Sequence, residues 1–412
     1  MQKLSKKFKV DLVYLIGGGF WLMVTQLFTY VGSFILAYVF ANYVDPSVYG
    51  KYTYVLSLFG LFSLFSLPGI DTAVTQSVAK GYENSYYTGF KTKLRWSVIS
   101  SVCLILAGGY YVWFGDQPLL SLPLFLGAAI LPIMYGSQIF TAFFAGKRLF
   151  YEQTKARVTI QLISYVATIC VLFVTDKLWV LVLTYLIANA GGNVLFYWLT
   201  QRQYQPNRKE DSTSILFGKH LSFLQALNTG TSYVDQLLIF NFLGPVELAV
   251  YNFALNPVRQ GTAAFQNLGH LLLPKFSEKS MKEIDQRFLS RSFQLLGLGV
   301  LMVIGYVAIS PWVFSTFFPK YMSSLSYSQL FALTLIFHPV GPYLGSIFRS
   351  QKLTRSIYIS GASTHIILLG LIILLGYWYG IQGIILARVV SMAYSFVLAI
   401  VLWRVEMNAF KK

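Results

Sequence analysis

The chain has 412 residues, of which 56% are hydrophobic and only 11% are charged, and its formal net charge is +17. Together with a mean hydropathy of +0.59, this composition excludes an ordinary soluble domain and predicts a polytopic membrane protein. The two cysteines, Cys103 and Cys170, lie in apolar runs without metal-type or redox-type spacing. We therefore expect neither a disulfide framework nor a zinc site.

Twelve stretches are long and apolar enough to cross a bilayer, because a spanning helix needs roughly 20 mostly apolar residues. They are 13–40, 52–75, 96–114, 119–144, 158–174, 178–199, 221–243, 246–273, 293–314, 325–348, 357–377 and 381–403. The basic start of the chain leads into the first stretch with no small-residue cleavage site, so a retained first helix is expected rather than a removed signal peptide. The sequence thus predicts an all-α membrane protein with about 12 transmembrane helices.

The basic residues predict the orientation of these spans. With a cytoplasmic N-terminus, 27 of the 32 lysines and arginines fall in cytoplasmic connections, Lys93 among them, and three fall on the opposite side, while Arg259 and Arg388 lie within spans. This asymmetry follows the positive-inside rule and favours an even number of spans, with both termini cytoplasmic. Membrane orientation therefore accounts for the basicity, and no nucleic-acid partner is expected.

The two halves of the chain resemble each other. A shift by 199 residues places Asn42 on Asn241, Pro46 on Pro245 and Tyr52 on Tyr251. The longest and most polar cytoplasmic connection, 201–220, falls between the halves. We expect an N-terminal lobe of six helices in 1–205 and a C-terminal lobe of six in 206–412, related as parallel repeats around a central cavity.

The seventh and eighth spans each carry one polar stripe at helical spacing. The two stripes contain Asn228, Ser232 and Asp235, then Asn252, Asn256, Arg259, Gln266 and His270. Because the rest of each span is apolar, the stripes are predicted to face a wet interior. Asp235 and Arg259 lie well inside their spans, where ionisable groups are costly and are functional candidates by default.

Three segments carry a family resemblance. Residues 44–52 read VDPSVYGKY, which resembles the signature after the first helix of the polysaccharide transporter family. Its counterpart in the second half is DQLLI at 235–239 followed by LGPVELAVY at 243–251, and LLPKFS at 272–277 is similar to the family's exit from helix 8. The chain departs from the family at Gln236, where many relatives have Arg, and at Ala249, where Gly is usual. The best match is the Wzx-type O-antigen flippases, which belong with multidrug exporters and lipid II flippases in one superfamily.

The resemblance implies a bacterial inner-membrane protein that moves an undecaprenyl-diphosphate-linked O-antigen oligosaccharide from the cytoplasmic to the periplasmic leaflet. Such a protein is a carrier rather than an enzyme and uses no cofactor, and the sequence has no Walker-type loop for ATP. Its partners would be the lipid-linked oligosaccharide, membrane lipid, and the polymerase and chain-length proteins of the same pathway.

A flippase of this kind needs cations for the diphosphate and hydrogen-bonding groups for the sugars. Arg259 suits the first role, because a guanidinium binds phosphate with a planar fork, although an ion pair with Asp235 is the alternative. Asp71 and Asp235 are candidates for ion coupling, with a helix-end hydrogen bond as the alternative for Asp71. The remaining candidates for the substrate path are Asn228, Asn252, Asn256, Gln266 and Arg388, the last on one helix face with Ser391 and Ser395.

Interhelical hydrogen bonds would use the same amides. The histidines show no ligand spacing, so no metal is expected.

Two other functions remain open at this point. A drug or cation antiporter of the same superfamily would favour a smaller, acidic and aromatic cavity. A membrane-embedded O-antigen polymerase or ligase would need a sizeable extracytoplasmic loop, whereas the predicted external loops are very short.

Overall fold

The computed structural model describes residues 12–115, 117–209, 211, 213–266, 272 and 275–411. Within these residues the chain folds into α-helices joined by short turns and four 3-10 helices, and it contains no strand. The helices are α1 Leu12–Tyr43, α2 Pro46–Phe62, α3 Gly69–Ala79, α4 Ser85–Trp113, α5 Ser121–Ser137, α6 Phe140–Gly146, α7 Phe150–Leu172, α8 Leu178–Tyr204, α9 Ser214–Leu243, α10 Pro245–Gln266, α11 Met281–Phe317, α12 Ser323–Ala332, α13 Val340–Ser350 and α14 Thr354–Lys411.

Helices long and apolar enough to cross a membrane dominate the described part of the chain. Eight stretches qualify, and the bent pair α2 and α3 makes nine. Helix α14 counts once, although it contains the last two predicted spans on either side of a kink at Gly380. Helix α9 covers the seventh predicted span, and α10 covers the eighth as far as Gln266; the rest of that span lies almost wholly outside the described residues. Neither helix is among the eight, because polar residues lower its hydropathy. The prediction of an all-α membrane protein with about twelve spans is confirmed.

Contacts between residues divide the chain into two compact units, Met1–Tyr233 and Val234–Lys412. An aromatic cluster forms part of the core of the first unit, where Tyr86 stacks on Tyr197. In the second unit, Phe288 stacks on Trp403 in a corresponding cluster. The lobe boundary after residue 205 stays a prediction.

The first helical hairpin of each predicted half has a tight proline turn. In the first, Asp45 caps α2 by accepting from the backbone nitrogen of Ser47 at 2.8 Å, and Pro46 starts the helix. In the second, Gly244 has φ +104° and ends α9 in the left-handed conformation, after which Pro245 starts α10. Acidic N-caps, left-handed glycine C-caps and N-terminal prolines are all favoured at these positions.

One hydrogen bond is repeated between residues that are 199 positions apart. Asn42 donates from Nδ2 to the carbonyl of Tyr38 at 2.9 Å. Asn241 donates in the same way to the carbonyl of Leu237 at 2.8 Å. The two asparagines therefore play the same local role at the end of α1 and of α9.

Helices α2 and α3 form one span that is bent by 49°. The bend follows Leu67, whose φ is +57°, and Gly69 then starts α3. A Cβ on Gly69 would lie 2.4 Å from the backbone nitrogen of Ser222, so only glycine permits this close approach to α9. The hydroxyl of Ser222 in turn accepts from the Gly69 nitrogen at 2.9 Å.

The polar connection between α8 and α9 lies against the rest of the first unit. The backbone nitrogen of Asn207 donates to Glu83 Oε2 at 2.9 Å, and Lys147 forms an ion pair with the other oxygen of Glu83. Ser77 donates to Asp211 Oδ2 at 2.9 Å. Burial raises the pKa of Glu83, but the hydrogen bond from Lys147, the Asn207 nitrogen and the charge of Lys147 together lower it below its ordinary value. Asn207 and Asp211 therefore attach this connection to the rest of the first unit.

Candidate functional site

A buried ion pair lies in the second unit and joins α9 to α14. Arg388 donates to Asp235 Oδ2 through Nε at 2.9 Å and through Nη2 at 2.5 Å. The hydroxyl of Tyr251, on α10, donates to the same oxygen. The other carboxylate oxygen accepts from the backbone nitrogen of Gln236 at 2.9 Å. We call Asp235, Tyr251 and Arg388 the charge cluster.

The charge cluster is almost sealed from its surroundings. The Asp235 side chain has no exposed surface, and 14% of the Arg388 side chain is exposed. Removing the two charges from water costs several kcal/mol per ion. This desolvation cost is offset only where partners satisfy the hydrogen bonds of the ions, as Tyr251 and Gln236 do for Asp235. Such a pair inside a membrane span is weak evidence for stability and good evidence for a functional role.

The short turn at Gly244 sets the depth of the charge cluster. Asp235 lies eight residues before Leu243, the end of α9, and Tyr251 lies six residues after Pro245, the start of α10. At about 1.5 Å per residue these positions are roughly 12 Å and 9 Å from the turn, so the two side chains meet across the hairpin. Arg388 contacts Asp235 at this depth from α14, which follows much later in the chain.

Arg388 supplies a guanidinium that contacts Asp235, whereas the sequence indicated Arg259 as its partner. Arg259 is half-buried on α10, eight residues beyond Tyr251. A direct pair between Asp235 and Arg259 stays a hypothesis. The structure brings Asp235 and Arg388 together, although the sequence had treated them as separate candidates.

The predicted amide residues differ in burial. Asn252 is buried and donates to the carbonyl of Leu248 at 3.0 Å, whereas Asn256 is half-buried and Asn228, in the first unit, is exposed. The side chain of Gln266 and all of His270 lie outside the described residues. As sugar-binding groups, these amides stay predictions.

Asp71 has a partner that the sequence did not reveal. Lys93, on α4, donates to both Asp71 oxygens at 2.7 and 2.8 Å. The Lys93 side chain is only 2% exposed and that of Asp71 is 34% exposed. Lys93 was grouped with the cytoplasmic loop cations, and the structure instead buries it. A face of α4 carrying Gly89, Lys93, Ser97 and Ser100 at helical spacing was the available signal.

An apolar groove of about 500 Å³ lies beside the charge cluster, between α9 and α14. Leu238 follows Asp235 by three residues and Ile384 precedes Arg388 by four, so both groove residues are one helical turn from the ion pair. The other walls include Phe242 and Tyr377. This lining suits hydrocarbon and not a polar head group.

Metal ligands do not gather in the part of the chain that the structure describes. No three His, Cys, Asp or Glu side chains there come close enough to hold an ion.

A model of one protein family matches most of the chain. The family is described as polysaccharide biosynthesis protein, and the match covers residues 15–280. A comparison with curated proteins finds no match.

Solved structures of transporters share the fold. A multidrug resistance MATE family transporter of the MOP superfamily, in an inward-facing conformation, has a TM-score of 0.70 at 12% identity over 94% of this chain and 95% of its own. A MOP superfamily transporter from Pyrococcus furiosus, described as having a binding pocket of reverse polarity, has a TM-score of 0.64 at 11% identity over 97% and 96%. The lipid II flippase MurJ, in an inward closed conformation, has a TM-score of 0.59 at 14% identity over 94% and 87%. At these identities the likeness establishes the fold.

Proposed function

The chain belongs to the polysaccharide biosynthesis protein family, and from this membership we propose that it is a flippase for a lipid-linked oligosaccharide. Its substrate is an undecaprenyl-diphosphate-linked O-antigen unit, carried from the cytoplasmic to the periplasmic leaflet of the bacterial inner membrane. The fold shared with transporters, including a lipid II flippase, supports this proposal.

The charge cluster is the observation that carries the proposal. A diphosphate crossing the bilayer needs a cation where the dielectric constant is low, and a guanidinium matches phosphate oxygens with its planar fork. Arg388 is such a cation, held at mid-span by Asp235. An arriving diphosphate competes with the Asp235 carboxylate for Arg388, and Asp235 then takes a proton or another cation.

Arg259 supplies a second cation in this scheme. It lies on the same helix as Tyr251, two turns further along. Asn252, Asn256, Asn228 and Gln266 offer hydrogen bonds to sugars, and the apolar groove beside Arg388 suits the prenyl chain. Asp71, paired with Lys93 in the first unit, is a second candidate for ion coupling.

A drug or cation antiporter is the second candidate function, because the fold is also shared with multidrug transporters. The charge cluster favours the flippase. A cationic drug needs an available carboxylate, and Asp235 already has a guanidinium and a hydroxyl as partners. An O-antigen polymerase or ligase is disfavoured, since it needs a sizeable external loop. The connections on the predicted external side, α1–α2, α4–α5, α7–α8, α9–α10 and α11–α12, are all short.

Complementation of a flippase-null bacterium tests the proposal. Expression of the chain should restore surface O-antigen, with protein level checked in the membrane. Failure to restore it in several hosts of different O-antigen composition, together with increased drug resistance, would favour the antiporter. Loss of complementation when the polymerase or chain-length protein is exchanged would identify those partners.

A further inference from the structure

A second cavity of the second unit, distinct from the apolar groove, has polar and aromatic walls. It encloses about 270 Å³ between the end of α10, the break between α12 and α13, and both parts of α14. Its polar side chains are Thr262, His338, Ser360 and Ser395. Phe265, Phe337, Phe348 and Phe396 form the aromatic part of its wall.

The cavity lies at an interruption in a spanning helix. Helix α12 ends at Ala332, a 3-10 turn follows over Leu333–Ile336, and α13 starts only at Val340. Irregular backbone within a membrane is tolerated only where it is buried in protein or lines a polar cavity. Discontinuous helices of this kind line substrate sites in secondary transporters.

Three of the polar side chains have open hydrogen-bonding capacity. Within the described residues, the imidazole of His338 and the hydroxyls of Ser360 and Ser395 have no hydrogen-bond partner in the protein. Partly buried polar groups without partners are costly unless water or a ligand satisfies them. The cavity is therefore equipped with donors and acceptors that a bound molecule can use.

The cavity also lies near two arginines of the proposed substrate path, Arg259 on α10 and Arg388 on α14. Thr262 follows Arg259 by three residues on α10 and donates to its carbonyl at 2.8 Å. Ser395 follows Arg388 by seven residues on α14, which is about 10 Å along the helix axis. A diphosphate held at Arg388 and the sugar attached to it can bridge this distance.

We propose that this cavity binds one sugar ring of the lipid-linked oligosaccharide, an inference that rests on the proposed function. The apolar faces of a pyranose pack against phenylalanine rings, and its hydroxyls bond to His338, Ser360 and Ser395. Pockets for drug-sized ligands hold roughly 300–1,000 Å³, so 270 Å³ accommodates a single ring rather than a whole repeat unit. The site selects the sugar nearest the diphosphate.

Gly341 allows the cavity to be filled without strain. It lines the cavity, and a Cβ built on it meets no atom within 4 Å. Gly341→Leu therefore places a side chain in the cavity. Gly370→Leu is the matched control, because a Cβ at Gly370 is equally unobstructed and Gly370 does not line the cavity.

The experiment uses full-length protein in liposomes and two probes: undecaprenyl diphosphate carrying a fluorescent oligosaccharide, and a fluorescent prenyl diphosphate without sugar. Gly341→Leu should slow movement of the glycosylated probe roughly tenfold, because the new side chain displaces the sugar and removes one or two hydrogen bonds together with their packing contacts. It should leave the sugar-free probe within about twofold of wild type. Ser395→Ala removes a hydroxyl and hardly alters the volume of the cavity. It should slow movement of the glycosylated probe and leave the sugar-free probe unaffected.

Three results separate the outcomes. Unchanged movement of the glycosylated probe in Gly341→Leu overturns the sugar site. If a variant with wild-type thermal stability moves both probes equally slowly, the cavity serves the conformational cycle, and the sugar site is also overturned. Failure of the wild-type protein to move either probe contradicts the proposed function itself.

Discussion

Arg388 and Asp235, 153 residues apart in the chain, form an ion pair in which two guanidinium nitrogens donate to one carboxylate oxygen. The hydroxyl of Tyr251 donates to the same oxygen. This pair links the hairpin α9–α10 to α14, and the Asp235 side chain has no exposed surface. Five predictions concern this pair and the other charged groups that the structure locates.

Truncation of one member of the pair should be far more harmful than removal of both. Arg388→Met leaves the Asp235 carboxylate buried without its cation, which should cost about 3–5 kcal/mol of stability. The double variant Asp235→Asn/Arg388→Met removes both charges and should recover most of that loss. Thermal unfolding in detergent measures the effect, and additive losses in the double-mutant cycle would show that the two residues are not coupled.

Transport should respond differently from stability in the same variants. The double variant should remain inactive although it is stable, because it lacks the cation proposed to receive the diphosphate. Asp235→Asn should retain more activity than Asp235→Ala, since the amide oxygen can still accept from Tyr251 and Arg388. A fully active double variant would remove the charge cluster from the mechanism.

Arg259 should matter more than any cation at the cytoplasmic surface. A charge at mid-span is weakly screened, whereas a charge near lipid head groups contributes about 1 kcal/mol. Arg259→Ala should therefore reduce transport roughly tenfold or more. Arg355→Ala, at an exposed position near the start of α14, should stay within about twofold of wild type. Equal effects of the two substitutions in complementation would contradict a role in the substrate path.

Two lysines on α4 provide a matched comparison. Lys93 donates to both oxygens of Asp71 and is buried, whereas Lys91 is exposed. Lys93→Ala should lower stability by about 1.5–3 kcal/mol, the usual contribution of hydrogen bonds to charged groups. Lys91→Ala should change it by less than about 0.5 kcal/mol. If thermal unfolding does not distinguish the two variants, the burial of Lys93 has no energetic consequence.

The contact that fixes the connection between α8 and α9 should be sensitive to acid. The pKa of Glu83 is lowered from its ordinary value of 4.5, so its charged form stabilises the folded state. That contribution is complete above the ordinary pKa and is lost as pH falls through the lowered value. Glu83→Gln should therefore be less stable than wild type at pH 7, and the difference should shrink below about pH 4.5. A difference that is constant with pH would mean that Glu83 does not act through its charge.

Hydropathy was sufficient to predict the helices, because each segment that crosses the lipid must itself be long and apolar. Turn chemistry was also local, and the prolines at 46 and 245 marked where α2 and α10 begin. The polar stripe drew attention to Asp235, whose side chain the structure buries in an ion pair. That the two stripes face a wet interior stays a prediction.

The partners of these charges could not be predicted in the same way. Pairing of Asp235 with Arg388 depends on the packing of α9 against a helix far along the chain, which periodicity within one span does not encode. The positive-inside rule uses only the position of a lysine along the chain and not the burial of its side chain. Lys93 was therefore placed with the loop cations, although its helix face is buried. The cavity beside Ser395 likewise depends on the break between α12 and α13.

The most direct test of the flippase assignment is transport by purified protein in liposomes. Two substrates are offered to wild type and to Asp235→Asn/Arg388→Met: a fluorescent undecaprenyl-diphosphate-linked oligosaccharide and a fluorescent cationic drug. The account predicts that wild type moves the lipid-linked oligosaccharide across the bilayer, that the double variant does not, and that neither moves the drug. Transport of the drug without movement of the oligosaccharide lipid would contradict it.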